Sequence, residues 1–200
     1  MAFLGAKVME PRSIEIGHRF KIEILVASAH HDTVGTLIKE ADPAMETKSI
    51  TGLSISERVI LVTIHHLPSQ SRHSADLFIK LAQNEINIDM ISQTMTSDGY
   101  VNLAFTASSE DTHLINEVLM EIQKKYENVV ISTDTNIVKV SVVGMGMRTQ
   151  SGVAATLFEL FATNHIDYKL ITTSEISISY TIDSALKDKA VHLIASTFNL

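Results

Sequence analysis

Residues 62–93 and 142–173 are one segment written twice, at a constant offset of 80. Leu77-Phe78 answers Leu157-Phe158, Ala82 answers Ala162, and Asn84-x-Ile86-x-Ile88 answers Asn164-x-Ile166-x-Tyr168. The register runs on through Met90-Ile91 against Leu170-Ile171, and back to Ala75 against Ala155. Self-similarity at this spacing means two copies of one compact module, so the chain is a tandem and not a single domain. One copy can be laid on the other, and every position where they differ is informative.

Apolar periodicity gives the first copy the order strand, helix, strand, strand, helix, strand. Ile60, Val62 and Ile64 alternate, and Ser71–Asn84 switches to helical spacing through Ala75, Leu77, Phe78, Leu81 and Ala82. Ile86, Ile88 and Met90 alternate again, Ser97-Asp98-Gly99 marks a turn, and Val101, Leu103 and Phe105 resume the period of two. Leu114, Ile115, Val118, Leu119 and Ile122 stripe a second helix behind the capping candidates Ser108 and Ser109, and Asn128–Ser132 is a last strand. This βαββαβ order, an α+β fold with both helices on one sheet face, is the ferredoxin-like arrangement.

The second copy repeats the order. Val138, Val140 and Val142 form its first strand and Val153–Asn164 its first helix; Ile166–Thr173 and Ile176–Ile182 are the next two strands. Leu186, Ala190, Val191, Ile194 and Phe198 make the second helix, and no fourth strand follows before Leu200. The spare strand is Ser49–Ser56, with Leu53 and Ile55 alternating, ahead of the first copy. The expectation is that it completes the second sheet, so that the first module (58–133) is inserted within the second (48–57 plus 134–200). Residues 1–47 fit neither: a helix from Pro11 to Phe20, a strand over Lys21–Ser28 and a turn-rich link at His31–Leu37 read as the severed end of another domain.

A net charge of -7 without a Lys/Arg cluster argues against nucleic acid, and the absence of cysteine excludes disulfides and thiolate chemistry. The longest apolar run, Val59–Ile64, is too short to cross a bilayer, and MAFLGAKVMEPR lacks the apolar stretch of a secretory signal. A cytoplasmic protein is the economical expectation.

In the second copy the loop from first strand to first helix reads Gly144-Met-Gly146-Met-Arg-Thr-Gln-Ser-Gly152. Glycines there admit a ligand close to the backbone, and the helix start behind Gly152, Val153 and Ala154 favours an anion such as an α-carboxylate; a plain flexible link is the alternative. In the first copy the loop holds His66, Ser69, Gln70, Ser71 and Arg72, with Arg72 in place of Gly152. That guanidinium either crowds the helix start, brings its charge to it, or points to solvent. Thr173-Ser174-Glu175 sits between strands two and three of the second copy, either a polar turn or a place for an ammonium group. Asp89 and Asp167 lie on the second strands near these loops and are equally readable as solvated acids. No metal site is expected: His65 and His66 are adjacent on a strand and point to opposite faces, His30-His31 sits in a loop with only Asp32 nearby, and no HExxH accompanies either pair. Neither G-x-S-x-G nor a P-loop is present.

Taken together, these residues resemble the C-terminal regulatory part of aspartate kinase, with its paired ACT domains. Gly5-Ala-Lys-Val-Met-Glu-Pro-Arg-Ser-Ile-Glu15 resembles the last helix of the kinase domain, and Gly35-Thr-Leu-Ile38 and Ile50-Thr-Gly52 its link to the regulatory part. Ile86-Asn-Ile-Asp-Met-Ile91, Lys139-Val-Ser-Val-Val-Gly144, Ser151-Gly-Val-Ala-Ala155 and Ile171-Thr-Thr-Ser-Glu-Ile176 are similar to motifs of the ACT pair. The family's lysine- and glycine-containing nucleotide motif is not among these residues, so the resemblance implies a non-catalytic regulatory part without a cofactor. It also implies feedback inhibition within lysine and related amino-acid biosynthesis, a homodimer formed through the ACT sheets, and a catalytic domain or subunit as partner.

By the same resemblance the effector contacts fall on Gly152, Val153, Ala154, Asp167, Tyr168, Thr173, Ser174 and Glu175 of the second copy, and on Asn87, Ile88, Asp89 and Gln93 of the first. The first-copy loop departs from the threonine-responsive pattern at Ser69 and Arg72, with Ser74 beside them, while Asp167 and Tyr168 replace the usual Asn and Ile. Lysine is therefore the expected effector and threonine a poor one. The alternatives are a stand-alone ACT-pair sensor, against which the kinase-like residues 3–28 weigh, and an assembly subunit without a ligand.

Overall fold

The computed structural model describes residues 9–31, 34–39, 48–148 and 150–200. Gly5–Val8, Asp32, Thr149 and residues 40–47, each part of a reading above, lie outside the described residues. The N-terminal segment forms helix α1 (Pro11–Arg19) and strands β1 (Ile24–Val26) and β2 (Thr36–Ile38). β2 corrects the reading of 31–37 as a link: Leu37 and Ile38 pair antiparallel with Leu25 and Ile24, so their amides are satisfied in a two-stranded ribbon. The strand expected over 21–28 shrinks to the three residues that find this partner.

After β3 (Gly52–Ser56), the first copy contributes β4 (Val59–Pro68), α2 (Ser71–Gln83), β5 (Ile88–Met95), β6 (Tyr100–Ser108), α3 (Thr112–Lys125) and β7 (Val130–Asp134). The second contributes β8 (Ile137–Val143), α4 (Val153–Thr163), β9 (Tyr168–Thr173), β10 (Ser177–Asp183) and α5 (Lys187–Phe198). The sheets run β5-β6-β4-β7 and β3-β8-β10-β9, antiparallel throughout. In both, the strand that follows the first helix is an outer one and the first strand is central, as in a ferredoxin-like module. β3 pairs with β8 through Leu53 opposite Val142 and Ile55 opposite Val140, so the second sheet takes its edge strand from the far side of the first module.

The repeated Asn-x-Ile has a local cause. Asn84 and Asn164 each donate a side-chain amide to a carbonyl four residues back, Lys80 O at 2.9 Å and Leu160 O at 2.8 Å. Glu85 and His165 then turn left-handed, with φ of 57° and 53°. Ile86 N donates to Leu81 O and Ile166 N to Phe161 O, which closes a Schellman motif at both helix ends and drops each Ile into its core. Behind them Ile60, Val62, Leu77, Leu81 and Phe105 fill one core and Val140, Leu157, Phe161, Tyr180 and Ile194 the other. Each such buried aliphatic contributes about 1.5–3 kcal/mol.

One side chain departs from the expected alternation. Met90 does not share the face of Ile86 and Ile88, because β5 carries an extra residue between Ile88 and Ile91 and Met90 N donates to Thr106 Oγ1. The bulge turns Met90 to the helix-free face. There it meets Val59, Leu61, Ile137 and Leu170 in a third cluster that joins the two sheets. Met90 and Leu170 are equivalent residues of the repeat, so the modules meet across a pseudo-two-fold axis.

Because a non-glycine residue in the left-handed region is disfavoured by roughly 1–2 kcal/mol, Glu85→Gly and His165→Gly should each stabilise the fold, by up to about 1 kcal/mol after the extra entropy of glycine is offset. Urea denaturation of the two variants checks this; a lower midpoint for both would contradict the cap assignment.

Candidate functional site

The loop glycines of the second module serve different purposes. A Cβ on Gly144 would meet Ser49 O at 2.1 Å, and one on Gly146 would meet Lys48 O at 2.4 Å. Both glycines thus let the segment before β3 pack against the loop, which corrects the expectation that they open it to a ligand. Gly152 is the open one: it precedes α4 with φ 98°, and a Cβ there would touch nothing within 4 Å. Gly144 N donates to Ile176 O at 2.9 Å, which holds this loop against the turn between β9 and β10. The Gly152 helix start and the Thr173–Glu175 turn therefore lie at the same end of the module.

In that turn Ser174 is occupied with the hairpin. Its amide donates to Ser177 O at 2.8 Å, and its Oγ accepts from Ser177 N at 3.1 Å and lies 2.7 Å from Ser177 Oγ. Thr173 and Glu175 are exposed beside it, as is Ala154 on the first turn of α4, whereas Val153 turns into the core. Asp167 and Tyr168 stand at the opposite end of β9, roughly 20 Å away at about 3.3 Å per residue. Tyr168 packs edge-on against Phe158 and Tyr180. The Tyr180 hydroxyl is fully buried without a hydrogen-bond partner among the described residues, and burial, with Tyr168 adding to it, pushes its pKa up to about 12.

The first module is built differently at the equivalent places. α2 begins at Ser71 behind an extended Gln70, so Arg72 lies within its first turn. Its Nε pairs with Asp76 at 2.8 Å on an exposed face, which is the solvent-directed alternative and not a charge on the helix start. Ser69 N donates to Gly99 O. Ser74 Oγ donates to Gln93 Oε1 at 2.9 Å, a bridge from α2 to β5 that Ala154 and Thr173 do not reproduce in the second copy. His66, with φ 58° in a bulge of β4, stacks edge-on against Tyr100, and His65 lies opposite Val130.

At the junction of the modules, Asn87, Ile88 and Asp89 begin the β5 segment. Asn87 and Asp89 line an open cleft of about 500 Å³ together with Ser56, Glu57, Arg58, Ser108 and Glu110. Arg58 and Glu110 pair at its rim, and Lys187 reaches Glu57 at 3.0 Å. From β8, Lys139 pairs with Asp89; from β9, Lys169 pairs with Asp134 at the end of β7. Positions 89 and 169 are equivalent in the repeat, carry opposite charge, and each binds an opposite charge across the junction. Lys169's hydrogen bond is the main cause that holds the Asp134 carboxyl below its ordinary value, against a smaller opposing effect of burial. The sequence gives Lys139 only as part of a family motif, with no role of its own, and does not single out Arg58, Glu57 or Glu110. The one available signal was a lysine between valines in a central strand, where both faces are covered.

Known proteins match this geometry. A family model described as ACT domain matches residues 140–198. The aspartokinase of Bacillus sp. (strain MGA3) is 34% identical over the whole chain, which covers 49% of that protein. A crystal structure of aspartokinase alpha and beta subunits aligns with a TM-score of 0.69 and 30% identity, over 76% of this chain and 99% of that one. E. coli aspartokinase III in complex with lysine and aspartate shares the fold at a TM-score of 0.78 and 22% identity, over 99% of this chain and 44% of that one. The chain belongs to the aspartokinase family, as its regulatory, ACT-domain part, a fold shared with solved regulatory subunits of that family. It spans about half the length of the curated relatives it matches. Among the described residues no helix is long and apolar enough to cross a membrane.

A depressed carboxyl stabilises the fold above its ordinary pKa of 3.8, and that contribution is lost as pH falls through the depressed value. Asp134→Asn should therefore lower the melting temperature at neutral pH and lose its effect well below 3.8. A variant equally destabilised at both pH values would show that charge pairing with Lys169 is not the cause.

Proposed function

We propose that this chain is the effector-binding part of an aspartokinase, with lysine as its effector, acting on a catalytic domain or subunit that carries the phosphoryl-transfer chemistry. The observation that carries the reading is the common end of the second module, where Gly144 ties the Gly152 loop to the Thr173–Glu175 turn. An α-carboxylate at the α4 start would face the first amides of the helix, which a helix leaves without an intrahelical acceptor, and Glu175 lies at the same end as a carboxylate for an ammonium group. In the first module Arg72 is spent on Asp76 and one end of the Gln93 amide on Ser74, which leaves less for a threonine-sized ligand.

Asp167 and Tyr168 are too far along β9 to join this cluster within one chain. A second copy would supply them: β5 and β9 each lie at one edge of their sheets, and Ile91, Met95 and Tyr168 on them and Phe158 beside Tyr168 are exposed. We therefore take the working form to be a homodimer paired through the ACT sheets. Light scattering should report a dimer at micromolar concentration; a monomer with and without amino acids would refute this arrangement. The effector would act by binding one quaternary arrangement more tightly than another.

Titration calorimetry with lysine, threonine, methionine and diaminopimelate tests the ligand. Losing one charge-assisted contact costs roughly 1.5–3 kcal/mol, so Glu175→Gln should weaken lysine binding at least about tenfold, with Arg72→Gly nearly neutral. Undiminished lysine binding by Glu175→Gln, or threonine binding as tight as lysine, would overturn the pocket assignment.

A further inference from the structure

We infer that the Gly144–Gly146 loop is the output of the second module: it clamps the main chain at Lys48 and Ser49, just ahead of β3, and passes to the N-terminal segment a change at the Gly152–Glu175 end. The inference deepens the reading above and rests on it for the effector. The clamped chain is seated on β8 before its sheet pairing begins. Ile50 is buried in the second core, Thr51 N donates to Val143 O at 2.8 Å, and Thr51 Oγ1 donates to the same carbonyl at 3.3 Å. Beyond Val143 the loop folds over this chain. A Cβ on Gly144 would lie 2.1 Å from Ser49 O and 2.7 Å from Ile50 Cα, and one on Gly146 would lie 2.4 Å from Lys48 O and 3.0 Å from Ser49 Cα. These neighbours are main-chain atoms, so no side chain can turn aside to make room. The first copy has Ile64 and His66 at the same places under the offset of 80. Both glycines are thus confined to the module that the N-terminal segment enters.

The loop has two further attachments. Gly144 N donates to Ile176 O at the β9–β10 turn, and Gln150 N donates back to Gly146 O at 2.9 Å, just before Gly152 opens α4. One short loop therefore touches the entering chain, the turn and the helix start. Main chain packed directly on main chain leaves no rotamer to absorb a shift, so the loop and the entering chain move together or part. A carboxylate held by the first amides of α4 fixes the loop, and the loop in turn fixes Lys48 and Ser49. The coupling is reciprocal: displacing the entering chain weakens the hold on the ligand.

The test is amide hydrogen exchange of the full chain, followed residue by residue by NMR with and without lysine, with lysine binding measured by calorimetry. In the native chain saturating lysine should slow exchange at Gly144 and at Thr51 together, each by about fivefold or more, because one opening exposes both amides. Gly146→Ala puts a methyl group where Lys48 O lies and forces the two chains apart. With no lysine present it should speed exchange at Thr51 by about fivefold or more over the native chain. If that variant does not fold, the native chain with and without lysine decides the matter. Unchanged exchange at Thr51, either in a native chain that binds lysine or in a folded Gly146→Ala, overturns this inference alone. A native chain that binds no lysine overturns the functional reading together with it.

Discussion

Two antiparallel sheets meet through the faces that carry no helix, and the position of the junction cleft follows from that contact. Each sheet buries its other face under two helices, so the helix-free faces must find cover or remain wet. They cover each other around Met90, Leu170, Val59, Leu61 and Ile137. The contact is small and apolar at its centre, with Lys139 bound to Asp89 and Lys169 to Asp134 beside it. Apolar burial drives the association without specifying an angle. The ion pairs add direction, because each joins one defined residue of one module to one of the other.

Crossing of the chain between modules strengthens this constraint. β3 belongs to the second sheet, yet the chain passes directly from Ser56 to Val59 in the first. β7 belongs to the first sheet and leads straight into β8. Two short connections therefore run side by side at the junction, and the cleft with Asp89 opens beside one of them. A change in the angle between modules must bend these connections, which places Glu57, Arg58 and Asp134 where such motion concentrates.

Much of this was legible in the sequence, and the reason is physical. Periods of 2 and 3.6 report which face is buried, and in a repeat they are read twice, so the strand and helix order of both modules follows from positions such as Ile60, Val62 and Leu77. The missing fourth strand was legible by counting. What escaped depends on partners distant in the chain. β2 exists because β1 offers it hydrogen bonds, not because Thr36–Ile38 is strongly patterned. Met90 changes face through a bulge set by Thr106, and alternation alone cannot see an inserted residue. Gly144 and Gly146 looked like a ligand-binding loop, but small residues admit any close neighbour, and here the neighbour is the backbone of Lys48 and Ser49. The resemblance to aspartate kinase named Asp89; only the fold shows that a lysine of the other module already holds it.

The duplicated origin of the modules gives this arrangement its direction. Two identical copies packed about a two-fold axis would place identical charges at positions 89 and 169, and neither would distinguish one module from the other. Here one is an acid and the other a base. The acid lines the cleft, whereas Lys169 binds Asp134, a residue that is not among the cleft's lining. Similarly, Ser74 bridges to Gln93 in one copy, while Ala154 has no hydroxyl to offer Thr173 in the other. Divergence has closed the helix–edge gap of the first module and left that of the second open at Gly152. Under the reading proposed above, an effector would meet two unlike surfaces, and binding at either would act on the junction from one side only. That asymmetry is what a repeat needs in order to transmit a signal: a ligand that bound both copies alike would strain the junction symmetrically and would have no preferred way to turn it.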